Sequence, residues 1–179
     1  RDGGATFFNL DGKTQNWLTV APSLADSNNL YRAYFFNAAN SSAATTAAKL
    51  TVVRQSTVLT ITSSANPRQI GGTLDFTVTA KAANGVGTPN GGQVDIYFGS
   101  LHYSGALVNG SVFFQGVPVQ PLGTYTVGAT YGGDGVFGQA SATMPQVVGK
   151  GMSYLRGDVP TQAVAGQPVS LGAVLTYTG

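Results

Sequence analysis

Cysteine is absent from the 179 residues. Its absence excludes disulfides, thiolate metal sites and cysteine nucleophiles. Glutamate is absent too: the seven acidic residues are all aspartates, at positions 2, 11, 26, 75, 95, 134 and 158. Helix surfaces are ordinarily filled with Glu, Lys and Arg, yet charged residues make up only 9% here. Thr, Ser, Val, Ala, Asn and 25 glycines stand in their place, a composition of strands and turns. No apolar run approaches the roughly 18 residues a spanning helix needs, so no membrane insertion is expected. Nine Lys and Arg are scattered without a cluster, which argues against nucleic acid despite a pI near 9.0. There is no signal-peptide pattern, and Arg1 is an improbable native start, so the stretch reads as internal or processed.

What the chain does have is a near-repeat of about 94 residues, the length of one small β-sandwich rather than one turn of a solenoid. Leu30-Tyr31-Arg32-Ala33 aligns with Thr124-Tyr125-Thr126-Val127, and Leu50-Thr51-Val52-Val53 with Met144-Pro145-Gln146-Val147. Ile70-Gly71-Gly72-Thr73-Leu74 aligns with Ala165-Gly166-Gln167-Pro168-Val169, one residue farther on. The expected fold class is all-β: tandem sandwiches, one complete over residues 57–148 and two partial, over 1–53 and 152–179.

Alternation of apolar and polar residues marks the strands. In the first part they are expected at 5–9, 16–20, 30–37 and 45–53, with Asp11-Gly12 as the turn between the first two. In the middle they are expected at 57–62, 72–80, 91–98, 101–104, 111–115, 123–131 and 139–148. Leu74, Phe76 and Val78 should face the core there, as should Val94, Ile96 and Phe98, and Tyr125, Val127 and Ala129. Asn66-Pro67 should kink the chain between the first two of these strands. The last part carries Val169, Leu171 and Ala173 in alternation and then stops. Asp26-Ser27-Asn28-Asn29 leads into a strand whose second residue is Tyr31, the arrangement of a tyrosine corner.

Gly3-Gly4-Ala5-Thr6-Phe7, Trp17-Leu18-Thr19-Val20, Asn29-Leu30-Tyr31-Arg32-Ala33 and Ala47-Ala48-Lys49-Leu50-Thr51-Val52 together resemble the second half of bacterial immunoglobulin-like repeats. Ser64-Ala65-Asn66-Pro67, Gly87-Thr88-Pro89-Asn90-Gly91-Gly92-Gln93-Val94 and the run from Gly123 to Asp134 resemble a complete repeat of that kind. The final stretch resembles the opening of another. The resemblance implies a fold and a setting: domains strung as stalks or fibres of large secreted and surface proteins. An extracellular sandwich without cysteine is more typical of bacteria or archaea. The apolar faces of the broken repeats need an opposing sheet, so the expected partners are copies of itself or adjacent repeats of the same polypeptide. It transfers no catalytic residue and no cofactor. Tyr34 and Phe36 depart from it, where small or β-branched residues are usual.

Few residues carry chemistry. His102 stands alone, so neither a transition-metal site nor a Ser-His-Asp relay is expected, and no nucleophile-elbow sequence is present. The aspartates form no D-x-D-x-D-G loop, and Asp134 reads as a turn residue. Arg156-Gly157-Asp158, Asn40-Ser41-Ser42 and Asn109-Gly110-Ser111 match short motifs that arise often by chance. The sharpest signal is aromatic. Trp17, Tyr34 and Phe36 should lie on solvent faces if Leu18, Val20, Tyr31 and Phe35 face a core, available to a protein partner or to glycans. The expected function is therefore structural rather than enzymatic, with an adhesive or carbohydrate-binding module as the alternative.

Overall fold

A computed structural model describes residues 6–39, 41–158 and 160–178. The chain is all-β and divides into two compact units, Arg1–Gln55 with Gly135–Phe137, and Ser56–Asp134 with Gly138–Gly179.

The first unit holds four short strands: β1 (Leu30–Tyr31), β2 (Tyr34–Phe36), β3 (Ser42–Ala44) and β4 (Ala48–Lys49). β1 pairs antiparallel with β4, and β2 with β3. Asn28 donates its amide to the Leu50 carbonyl at 2.8 Å, and the Leu50 amide returns to Asn29 at 2.9 Å. Together they form one interrupted hairpin. It is tighter than the sequence alignment implies, for Tyr31 faces Ala48 rather than Val52, four positions earlier. The connection between its arms, residues 37–41, is three residues shorter than 132–139 in the matching hairpin of the second unit, and the register shifts by one residue between the Tyr31–Ala48 and Tyr34–Ala44 pairs.

The strands expected at 5–9 and 16–20 do not form among the described residues; Ala5 lies outside them. The turn at Asp11-Gly12 does form, with Gly12 at φ 72°. Alternation gives a segment a face, but a strand also needs a partner for its N–H and C=O groups. Among the described residues of 6–55 none is fully buried, and Phe137 is the buried side chain of this unit.

The second unit is built differently. Its strands are β5 (Thr57–Ser63), β6 (Arg68–Gln69), β7 (Thr73–Ala82), β8 (Gln93–Phe98), β9 (Leu101–Ala106), β10 (Ser111–Pro118), β11 (Gly123–Tyr131) and β12 (Ala140–Gly149), followed by β13 (Met152–Asp158) and β14 (Gly172–Thr178). One sheet has the order β10-β7-β5 and the other β6-β12-β11-β8-β9. The alternating residues of β7, β8 and β11 are buried as their period of two requires: Leu74, Phe76 and Val78 from one sheet, Val94, Ile96, Phe98, Val127 and Ala129 from the other. Phe76 meets Phe98 edge-on across this core at 5.5 Å between ring centres.

Three devices hold the sandwich and were not legible in its hydrophobic pattern. First, the chain changes sheets between β5 and β7. The Asn66 side chain imitates a strand residue: its amide donates to the Pro145 carbonyl at 2.6 Å, and its Oδ1 accepts the Val147 amide at 2.9 Å. The Asn66-Pro67 bond is cis, and β6 then pairs parallel with β12. Second, Gln146 on β12 is fully buried and donates to the Ala65 carbonyl at 2.9 Å. Third, Tyr131 closes one end of the core. Its hydroxyl proton lies between the Gly91 carbonyl at 3.2 Å and Asp134 Oδ2 at 3.1 Å.

The Tyr131 end generates two predictions. Gly92 sits at φ +75°, and a Cβ there would meet the Gly133 carbonyl oxygen and lie 2.8 Å from the Tyr131 ring. Gly92→Ala should therefore cost about 2 kcal/mol or more in chemical denaturation, while Gly128→Ala, in open space, should cost nothing measurable. Burial, and then the hydrogen bond to Asp134, pushes the Tyr131 phenol up to about 12. A raised folded-state value means a contribution that is intact below about pH 10 and is lost as pH rises through about 12. Denaturation midpoints of the wild type should fall more steeply over that window than those of Tyr131→Phe.

Candidate interaction site

Three surface features gather side chains with binding or chemical potential. The first lies on β8 and β9, joined by the Gly99-Ser100 turn. Because Val94, Ile96 and Phe98 point into the core, Gln93, Asp95 and Tyr97 point out. Pairing sets Asp95 opposite Ser104 and Tyr97 opposite His102. His102 stacks on Tyr97 with ring centres 4.6 Å apart and its Nε2 lies 3.0 Å from Asp95 Oδ1. Ser104 and Gln93 donate to the same carboxylate oxygen. The hydrogen bonds from Ser104, Gln93 and His102 hold the Asp95 carboxyl below the usual carboxylate range.

A serine, a histidine and an aspartate thus meet through cross-strand register, an arrangement that no linear motif displays. The geometry is not that of a proton relay. A relay needs the aspartate on one ring nitrogen and the serine on the other. Here Nε2 alone faces both, 3.0 Å from Asp95 and 3.4 Å from Ser104 Oγ. The serine proton is committed to Asp95 and no nucleophile is activated. The cluster is a cross-strand clasp beside a shallow, open depression lined by Gly92, Gln93, Ser104, Gly105 and Ala106. Among the described residues no three or more His, Asp, Glu or Cys gather to hold a metal ion, and no helix is long and apolar enough to cross a membrane.

The second feature is the aromatic set of the first unit. Trp17, Tyr34 and Phe36 are 68%, 56% and 78% exposed. Their intended opposites are not buried either: Phe35, Leu18 and Val20 are exposed, and Tyr31 is half-buried. The inside-outside distinction drawn from alternation is therefore absent among the described residues of this unit. The turn at Asp26 is closed through its own atoms. Asp26 Oδ2 accepts the Ser23 amide at 2.9 Å, and Oδ1 accepts from Asn29 at 3.3 Å. Tyr31 enters β1 beside this turn, and among the described residues its hydroxyl makes no hydrogen bond to it. Arg32 lies over the Phe7 ring at 4.1 Å.

The third feature is the ribbon of β13 and β14. The two strands pair with each other from Met152 opposite Thr178 to Asp158 opposite Gly172. Every side chain of β13 is exposed. Arg156-Gly157-Asp158 lies inside this paired strand, not at a loop tip. In the aligned sandwich Leu59 faces Ala80, and here Leu155 faces Leu175, so the ribbon repeats the β5–β7 pairing with one residue fewer between its arms. Gly71 and Gly166, aligned in sequence, both adopt positive φ, at 93° and 80°.

No protein-family model matches the chain, and no curated protein matches it.

The Asp95 clasp makes a prediction of definite sign. A carboxyl held below its unfolded value stabilises the fold above about pH 4 and loses that contribution as pH falls through the lower, folded value. Asp95→Asn should therefore flatten the fall in urea midpoint between pH 5 and pH 2.5, measured against the wild type.

Proposed function

We propose that this chain is a structural repeat of immunoglobulin-like type in an extracellular filament or surface stalk of a bacterium or archaeon, stacking head to tail on copies of itself or on adjacent repeats. Support for the immunoglobulin-like reading comes from strand order. β5, β7 and β10 form one sheet, and β12, β11, β8 and β9 the other, as in sandwiches in which one added strand extends the sheet of the last two. Support for stacking comes from the exposed ribbon, which is the observation that carries the reading. Leu155 is 75% exposed, whereas Leu59, its counterpart in β5, is 6% exposed. An apolar face of this kind forgoes ~1.5–3 kcal/mol for each large side chain left in water, so it favours being covered. The absence of cysteine fits a stalk that needs no oxidative folding.

The exposure of Trp17, Tyr34 and Phe36 favours a second reading, an adhesive module that stacks these rings on glycans. The two readings separate experimentally. Electron micrographs of the concentrated protein should show extended rods, and a glycan array should stay blank. Compact single particles, with array binding that disappears in Tyr34→Ala, would select the adhesive module instead.

A further inference from the structure

We propose that one face of the β13–β14 ribbon seats on the β1–β4 hairpin of a second copy, taking there the place that β5–β7 holds opposite β11–β12. The seat deepens the filament reading and rests on it. Three observations lead to it.

The ribbon has the pairing of a sandwich edge without the sandwich. Leu155 lies opposite Leu175 just as Leu59 lies opposite Ala80. With Gly166 at the place of Gly71, Ala173 falls at Val78 and Leu175 at Ala80. Leu59, Val78 and Ala80 are buried, while Leu155 and Leu175 are exposed. The chain therefore contains its own example of what covers such a face: the β11–β12 hairpin, carrying Val127, Ala129 and Val148.

The charges are sorted. Period-two alternation puts Leu155, Ala173 and Leu175 on one face of the ribbon and Arg156 and Asp158 on the other. Covering the first face strips water from no charge.

The hairpin of the first unit is the other half. Tyr31 aligns with Tyr125 of β11, and it pairs with Ala48 where Tyr125 pairs with Gln146, a register shifted by four residues on the second arm that keeps Ala48 and Leu50 on the same side. Tyr31, Phe35 and Leu50 offer an uncharged surface, with Phe35 exposed and the other two half-buried. Each copy carries one face of each kind, so the contact joins unlike surfaces and copies add head to tail, one after another.

The test uses the full chain in sedimentation velocity over a concentration series. The wild type should grow beyond dimers. Leu175→Asp removes the tail face and Phe35→Asp the head face; each alone should associate at least tenfold more weakly, with unchanged circular dichroism. An equimolar mixture of the two retains one good tail and one good head, so it should form dimers and nothing larger. Should Leu175→Asp unfold, Leu155→Ser on the same face replaces it. Large species that persist in Leu175→Asp overturn the seat and leave the filament reading standing, as does a mixture that stays monomeric while the wild type assembles. A wild type that is monomeric at every concentration and forms no rods overturns both.

Discussion

The edge-on contact of Phe76 with Phe98, one ring from each sheet, stands for the constraint that organises this chain. An apolar sheet face is stable only when a second face covers it. Where both faces are present, at 56–134 and 138–149, the alternating residues are buried and the backbone ladders run for six to ten residues. Where one is present, the same type of sequence gives strands of two or three residues, as in β1–β4, or an exposed ribbon, as in β13–β14. The difference lies less in local propensity than in what each face meets.

The ends of the sandwich are governed by polar groups that satisfy backbone at close quarters. Asn66 donates to β12 and accepts from it, so the chain can leave one sheet and join the other without orphaning an amide. Tyr131 spans from β11 to the Gly91 carbonyl, and its ring occupies the space that a Cβ at Gly92 would take. Gln146 donates to Ala65 from a fully buried position on the core face of β12. Its Oε1 is buried without a hydrogen-bond partner among the described residues. These groups fix register at points where apolar packing alone is permissive.

Much of the central fold can be read directly from the chain. Leu74, Phe76 and Val78 alternate because one side of β7 meets the opposite sheet, and the same holds for Val94, Ile96 and Phe98. The limits of that reading are physical. Asn66 reads as a kink because its strand-like hydrogen bonds join residues 79 and 81 positions away. The Asp95, His102 and Ser104 cluster follows from cross-strand register, which the turn Gly99-Ser100 implies but no linear motif displays. Trp17, Leu18 and Val20 alternate as a strand would, yet alternation cannot supply a pairing partner. Tyr34, Phe35 and Phe36 are all exposed, so period two there does not separate an inside from an outside.

The decisive property of the ribbon is whether another molecule covers it. Hydrogen exchange of the intact protein, followed by mass spectrometry at low and high concentration, reads this directly from backbone amides. Amides of β7 and β11 should be protected equally at both concentrations, while those of 152–158 and 172–178 should exchange quickly when dilute and slow markedly when concentrated. Ribbon amides whose exchange does not change with concentration would contradict the central claim.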